Sequence, residues 1–209
     1  MNAIPAQSLK VLAALLYYPD EELLTHLDEI SAIAKTLQPR ALGAAVQAFA
    51  RDLKRRDLLS VQEQYTALFD MNPETTLNMT YHAQGDTEAR AAELARLRRS
   101  YTAAGWEPIS GELPDYLPLM LEFAAVCPQR ELTEPVWRTL ESLAPLVERL
   151  KLAAPHYAAL LQPLRPVANG CNPAGQISDT PPDPHAYPEE ELPWTWPIRL
   201  FSRSFPICA

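Results

Sequence analysis

Glycine is scarce in this chain, with six glycines among 209 residues. Tight turns and phosphate-cradling loops depend on glycine, because it adopts positive φ angles without a Cβ clash. The sequence contains neither a glycine-rich phosphate loop nor a G-x-S-x-G turn, so two common kinds of catalytic motif are absent. The scarcity of glycine, beside abundant alanine and leucine, favours an all-α fold.

Cysteine and histidine are few and are not arranged as metal ligands. They are scattered along the chain as Cys127, Cys171, Cys208, His26, His82, His156 and His185. No C-x-x-C pair or Cys/His spacing joins them, so the sequence supports neither a zinc site nor a disulfide framework. His82 has no evident nucleophile to serve as a catalytic base. We therefore expect no catalytic residue, no metal and no cofactor.

Long hydrophobic runs and strong positive charge are also lacking. No stretch approaches the roughly 18 apolar residues of a membrane span, and the first ten residues lack a secretory signal, so we expect a cytoplasmic protein. The net charge is −8. A negative chain binds nucleic acid poorly, because phosphate contacts need clustered lysine and arginine, but it suits a basic peptide. The single basic cluster, Arg96 to Arg99, is typical of a solvated helix face.

Apolar residues recur at helical spacing up to about residue 161, and no convincing alternating strand pattern appears. This pattern predicts a single-domain all-α bundle of about seven or eight helices over residues 1–164. Ser8 and Asp20 are predicted to cap the first two helices. Thr133, just before Pro135, predicts the start of the seventh. The other predicted helices begin near Pro39, Leu58, Asp86 or Thr87, Asp115 and His156.

Two segments break the helical pattern. Residues 71–85 contain Pro73 and Gly85 without a clean period, which predicts a long, mobile loop that could close over a ligand. Residues 165–209 hold about half of the chain's 21 prolines, which predicts an extended, flexible C-terminal tail. The apolar cluster Trp194–Phe201 in that tail is expected to dock on this protein or on a partner.

The stretch E-L-P-D-Y-L-P-L-M-L-E-F, Glu112 to Phe123, predicts a rigidly started helix. With Asp115 as the N-cap, Pro118 stands where a helix N–H has no intrahelical acceptor, so the proline forfeits no hydrogen bond. The Asp115 carboxylate is then expected to accept from the Leu117 N–H.

The same helix is predicted to carry an acidic edge. Asp115 and Glu122 are seven residues apart and should therefore lie near each other on one face, just after Glu112. This edge is consistent with a cap beside a solvated glutamate, or with a docking site for a basic, amphipathic peptide.

At these residues the chain resembles a known family. The stretch is similar to the E-L-P-D-H-L-P-x-x-L-E-[FY] signature of NarJ-type chaperones, within the TorD/DmsD group of redox-enzyme maturation proteins. Three more stretches keep the family's order. They are S-L-K-V-L-A-A-L-L-Y-Y-P-D near the start, Y-T-A-L-F-D at Tyr65 to Asp70, and P-H-Y-A-A-L-L at Pro155 to Leu161.

The resemblance implies an all-helical chaperone with no enzymatic activity. Its implied partner is the N-terminal segment of an apo molybdenum-containing catalytic subunit, nitrate reductase-like and of the dimethyl sulfoxide reductase superfamily. The chaperone would hold this client for molybdenum cofactor insertion before membrane attachment or export. Cofactor-biosynthesis proteins are further candidate partners, and a monomer or weak homodimer is expected.

The predicted peptide-binding site follows from the signature and the acidic edge. Its residues are Phe69, Asp70, His82, Glu112, Pro114, Asp115, Tyr116, Leu117, Pro118 and Glu122. Tyr116 departs from the family, which has histidine there. Because tyrosine cannot carry positive charge near neutral pH, any pH-sensitive role of that histidine should be lost.

Three alternatives stay open from the sequence alone. A helical scaffold that bridges subunits would share the composition and the fold. A nucleotide-binding cofactor-delivery protein would need a phosphate loop, which the sequence lacks. The Trp194–Phe201 cluster is also a candidate intramolecular competitor for the client groove, since a tethered segment acts at high effective concentration.

Overall fold

The computed structural model describes residues 4–85, 87–108, 111–165 and 201–203. Eleven α-helices and two short strands lie in these ranges. The helices are Ala6–Leu16 (α1), Glu21–Thr25 (α2), Leu27–Ile33 (α3), Arg40–Leu53 (α4), Leu58–Tyr65 (α5), Met79–Gln84 (α6), Glu88–Ala103 (α7), Leu117–Val126 (α8), Arg130–Leu140 (α9), Leu143–Ala153 (α10) and Pro155–Leu161 (α11). The strands are Trp106–Pro108 (β1) and Phe201–Arg203 (β2). The all-α prediction is confirmed.

Helices α1 and α8 form the centre of the bundle and pack against each other. Both are apolar around most of their circumference, as expected for helices enclosed by others. The buried residues of α8 run without a break from Leu117 to Phe123. On the outside, α11 packs on α4 and α10, and α9 packs on α7. The core of the bundle therefore lies directly beneath the signature stretch.

Two predicted helix boundaries, at Asp20 and Pro39, are confirmed. Asp20 caps α2, with its carboxylate accepting from the Leu23 N–H at 2.8 Å. Pro39 immediately precedes α4. The chain leaves α7 through Gly105, whose φ of 74° is the left-handed conformation that glycine adopts most readily. These signals are local, which is why sequence reasoning finds them.

Ser8 is not the cap of the first helix. Helix α1 begins earlier, after Pro5, and Ser8 is buried inside it. Its hydroxyl donates to the carbonyl oxygen of Gln38 at 2.8 Å. Because its hydroxyl is already hydrogen-bonded to a residue thirty positions away, Ser8 does not cap the helix, although serine is a common N-cap residue.

Two predicted helices are each divided. The second breaks at His26, whose Nδ1 lies 2.7 Å from the carbonyl oxygen of Glu22. The seventh begins at Arg130 rather than Thr133, and Pro135 lies inside it. It stops before Ser142, whose hydroxyl donates to the Met79 carbonyl at 3.1 Å, and α10 then begins. These divisions account for much of the excess over the predicted seven or eight helices.

The predicted loop of residues 71–85 is partly helical, because α6 occupies its end. Thr75, Leu77, Met79 and Thr80 are buried there. The tail prediction and the boundary at residue 164 remain predictions, since 166–200 and 204–209 lie outside the described residues. Only the backbone of β2 is described in the tail, and it pairs with β1.

Candidate functional site

A surface groove of about 330 Å³ opens between the C-terminal end of α1 and the α5 helix. It is lined by Tyr18, Leu59, Gln62, Glu63, Thr66, Ala67 and Met71. Three of these are large apolar side chains left in solvent: Tyr18 is 48% exposed, Leu59 64% and Met71 77%. Grouped exposed apolar side chains mark interaction sites more often than scattered ones do.

A π-helical turn, Thr66–Asp70, forms one wall of this groove. It closes with a bond of the i→i+5 type, because the Met71 N–H donates to the Thr66 carbonyl at 2.9 Å. Such turns are rare in proteins, and those that do occur are often found at functional sites. The turn buries Leu68 and Phe69 while it leaves Asp70 and Met71 in solvent. Tyr65, just before the turn, is buried in the core together with Leu68 and Phe69.

Tyr65 and Tyr116 join the groove to the signature stretch. The Tyr65 hydroxyl donates to the Leu16 carbonyl at 2.8 Å and lies 3.0 Å from the Tyr116 hydroxyl. Because Tyr65 has one proton to give, Tyr116 donates to Tyr65. The oxygen of Tyr116 keeps lone pairs that can accept from a ligand. Burial raises the pKa of both phenols, so both are uncharged at neutral pH.

Asp70 and Glu112 place negative charge beside this tyrosine. Both are exposed, and both are near enough to Tyr116 to raise the pKa of its phenol further. Partial burial, followed by the charge of Asp70, raises the pKa of Glu112. We call Asp70, Glu112 and Tyr116 the acidic mouth. A negative, hydrogen-bond-accepting mouth next to an apolar groove fits an apolar segment that carries a basic side chain.

Asp115 has a different place from the one that the sequence predicts. Tyr116, not Asp115, is the N-cap residue of α8, and the Leu117 N–H donates to the Leu77 carbonyl at 2.8 Å. The Asp115 carboxylate is fully buried, and its Oδ2 accepts from the N–H and the hydroxyl of Thr80 at 3.0 and 2.5 Å. Arg90 approaches the same oxygen, with Nη2 at 3.9 Å.

These contacts tie α6 and the residue before it to the start of α8. The Met79 N–H donates to the Asp115 carbonyl at 3.0 Å, and Asn78 pairs with Tyr116 in an isolated bridge. Asp115 therefore acts on the acidic mouth indirectly, by fixing the backbone that carries Tyr116. A capping preference inferred from the sequence could not predict these partners, because they lie 25 or more residues away along the chain.

The predicted acidic edge is not a solvent-facing edge. Glu122 is 4% exposed, and Asp115 is fully buried. Leu117, Pro118 and Phe69 are also buried. Pro114 is half-buried, and its carbonyl accepts from the Tyr101 hydroxyl at 2.6 Å. Of the ten predicted site residues, the structure therefore brings three together at the surface: Asp70, Glu112 and Tyr116.

His82 lies at the junction between residues 74–76 and α10. Its Nε2 is 2.8 Å from the Thr76 carbonyl oxygen, and its Nδ1 is 3.2 Å from Nη1 of Arg149. Since arginine only donates, Nδ1 accepts and Nε2 carries the proton. Burial lowers the pKa of His82, and the Arg149 charge lowers it further. His82 does not line the groove, and its described contacts are structural.

The sequence analysis missed the apolar lining of the groove. One signal was available: Leu59 stands off the stripe formed by Val61, Tyr65 and Leu68, so it had no predicted core partner. Nothing comparable marked Tyr18 or Met71.

Within the described ranges, no cluster of three or more histidine, cysteine, aspartate or glutamate side chains could hold a metal ion. None of the helices described there has the length and apolar character that crossing a membrane requires.

Comparison with known proteins places this geometry in context. Residues 36–157 match the family described as "Nitrate reductase delta subunit". The chain is 37% identical over 163 residues to the nitrate reductase molybdenum cofactor assembly chaperone NarJ of Escherichia coli (strain K12), covering 77% of this chain and 69% of that protein. It is 32% identical over 165 residues to the probable nitrate reductase molybdenum cofactor assembly chaperone NarJ of Bacillus subtilis (strain 168), with coverages of 78% and 90%.

A solved structure shares the fold. The crystal structure of a redox enzyme maturation protein from Archaeoglobus fulgidus matches with a TM-score of 0.56 at 18% identity. The match covers 81% of this chain and 96% of that one. Both NarJ relatives are named as chaperones rather than as catalysts, which agrees with the expectation of a non-enzymatic protein.

Proposed function

We propose a function from one premise: the chain belongs to the nitrate reductase delta subunit family. The resemblance drawn from its signature is thereby confirmed. The proposed function is that of a maturation chaperone dedicated to a nitrate reductase-like molybdoenzyme. The chaperone binds the N-terminal segment of the apo catalytic subunit. It holds that subunit for molybdenum cofactor insertion and assembly before membrane attachment or export.

One observation carries the peptide-binding part of this proposal. The apolar groove and the acidic mouth are adjacent, because Tyr18 packs on Tyr65 at 5.4 Å between ring centroids and Tyr65 contacts Tyr116. An amphipathic segment would bury its apolar face against Tyr18, Leu59 and Met71. One of its basic side chains would meet the acidic mouth. Apolar burial would supply most of the affinity, and the charges would set orientation and association rate.

Binding to a synthetic peptide tests this site directly. The peptide is the N-terminal segment of the nitrate reductase-like catalytic subunit from the same organism, and the readout is calorimetry with purified full-length chain. Leu59→Glu should weaken binding at least tenfold, because it sets a charge in the apolar groove. Leu152→Glu is the matched control, since Leu152 is 91% exposed and does not line the groove. Equal affinities for the two variants would refute the groove assignment.

The chaperone role needs a separate test in cells. The tagged chain is recovered from the native cytoplasm, and the molybdenum content of any bound catalytic subunit is measured. A molybdenum-free subunit supports the maturation role. A subunit already loaded with molybdenum would indicate a scaffold instead.

A further inference from the structure

Strand β1 joins α7 to the segment that carries the acidic mouth. It follows Gly105 directly, and the chain continues from it to Glu112 and Tyr116. Its first side chain, Trp106, is 4% exposed within the core, whereas Glu107 points to solvent. The Trp106 side chain thus anchors the strand in the core, and the backbone N–H and C=O groups along one strand edge remain for pairing with another strand.

The chain's own C-terminal strand occupies that edge. Strand β2 pairs antiparallel with β1 in the register Trp106↔Arg203, Glu107↔Ser202 and Pro108↔Phe201. Pro108 has no N–H, so its pair is of the non-hydrogen-bonded kind. Antiparallel pairs alternate, and Glu107 and Ser202 are therefore the pair that exchanges two backbone hydrogen bonds.

We propose that β1 is a docking site for the C-terminal segment 201–203, and that its occupancy keeps the backbone of residues 111–113, on the connection between Trp106 and Tyr116, in order. The C-terminal end of this connection is already fixed, because the Tyr101 hydroxyl donates a hydrogen bond to the Pro114 carbonyl. Its N-terminal end, the near end, is restrained by the buried Trp106 side chain and by the pairing of β1 with β2. With both ends held, the backbone that presents Glu112 has little freedom, and release of β2 frees the near end.

The physics of short strands makes this contact reversible. A two-stranded ribbon of three residues is at most marginally stable by itself. Residues 166–200 connect β2 to the bundle within one chain, so docking is intramolecular and is favoured over pairing with a separate chain at low protein concentration. Part of the population therefore exchanges between docked and released forms. The order of the connection follows that exchange.

Two proline substitutions in the full-length chain test the proposal. Ser202→Pro removes the N–H that donates to Glu107. Arg203→Pro is the matched control, since the N–H of Arg203 faces away from β1 and proline is tolerated at such edge positions. Amide hydrogen exchange at Glu107 measures docking. Backbone order parameters at 111–113 measure the order of the connection.

We expect Ser202→Pro to speed exchange at Glu107 at least tenfold. We also expect order parameters at 111–113 to fall from about 0.85 toward 0.6, the range between rigid and flexible backbone. Arg203→Pro should change neither. Unchanged Glu107 exchange in Ser202→Pro, or faster exchange with unchanged order at 111–113, would overturn the proposal.

Sedimentation distinguishes docking within one chain from strand exchange between two chains. The wild type should sediment as the same species as Ser202→Pro. A wild-type dimer that Ser202→Pro converts to monomer would mean that the strand crosses between copies, and the proposal of docking within one chain would be wrong. None of these readouts uses a client peptide, so they are independent of the proposed function.

Discussion

Asp115 and Glu112 lie three residues apart and carry the same functional group, yet the fold gives them opposite surroundings. Asp115 is fully buried and accepts two hydrogen bonds from Thr80. Glu112 is exposed and shares the acidic mouth with Asp70. An acidic signature therefore divides into one carboxylate that builds the site and one that is free to meet a ligand. The difference in burial predicts different consequences for stability and binding.

The largest effect should come from Asp115→Ala. Removing a buried carboxylate leaves the Thr80 donors without their acceptor, and Arg90 loses a nearby charge. We expect a loss of about 3 kcal/mol in the free energy of unfolding, measured by urea denaturation. Asp115→Asn, which keeps the size and one acceptor oxygen, should fall between that variant and the wild type.

Asp70→Ala is the matched control for stability. An exposed carboxylate outside any described ion pair should change the free energy of unfolding by no more than about 0.5 kcal/mol. Similar losses for Asp70→Ala and Asp115→Ala would erase the distinction between the two carboxylates.

Peptide binding should show the reverse order. The double variant Asp70→Asn with Glu112→Gln removes the charge of the acidic mouth while it keeps side-chain size. We expect affinity for the basic client peptide to fall about tenfold at low salt and less at high salt, because exposed charges are screened. Calorimetry at two salt concentrations measures both values.

Glu141→Gln serves as the control for charge alone. Glu141 is exposed on another part of the surface and does not belong to the groove or the acidic mouth. A loss of affinity as large as that of the double variant would mean that net charge, and not the mouth, attracts the peptide.

Acidification should weaken peptide binding through Glu112. Its pKa is raised by partial burial and by Asp70, so it gains a proton at a higher pH than an isolated glutamate does. A bound basic group favours the carboxylate, so the contribution of Glu112 is present above that pKa and is lost as the pH falls through it. Between pH 6.5 and 8 affinity should stay flat, since burial raises the pKa of Tyr116 and keeps its phenol neutral.

Tyr116→His should convert that flat range into a slope. A histidine in the acidic mouth titrates near neutral pH, and its positive form would repel a basic peptide. Affinity should then fall as the pH drops from 8 to 6, unlike that of the wild type. If the wild-type affinity fell with pH in the same way, the conclusion that the Tyr116 phenol stays neutral over this range would be wrong.

The smallest effect should come from Tyr116→Phe. The change removes one acceptor from the mouth, while Tyr65 keeps its bond to the Leu16 carbonyl. We expect peptide affinity to fall about threefold, within the net value of one hydrogen bond, and stability to change by less than about 1 kcal/mol. Tyr65→Phe, which breaks the buried bond to Leu16, should cost more stability than Tyr116→Phe.

Sequence reasoning succeeded where a feature depends on neighbouring residues. Helical periodicity predicted the all-α fold, and residue type predicted the cap at Asp20. It failed where the partner is distant. Ser8 meets Gln38, and Asp115 meets Thr80, so neither is a cap.

The strands and the groove were missed for related reasons. A strand of three residues is too short to show alternation, and β1 forms because the far end of the chain supplies its partner. The sequence suggested the acidic residues of the candidate site by residue type, but it could not predict which of them are exposed. Burial of Glu122 and exposure of Asp70 depend on how whole helices pack.

Because a π-helical turn at Thr66–Asp70 forms one wall of the groove, the shape of that wall depends on how many residues the turn contains as well as on which residues they are. Deleting one residue there would let the bonding return to the α-helical pattern and rotate each following side chain by about 100° around the axis. Met71 and Asp70 would then leave their present positions although no lining residue had been substituted. A single-residue insertion or deletion in this turn would therefore reshape the groove wall without any substitution of its lining residues.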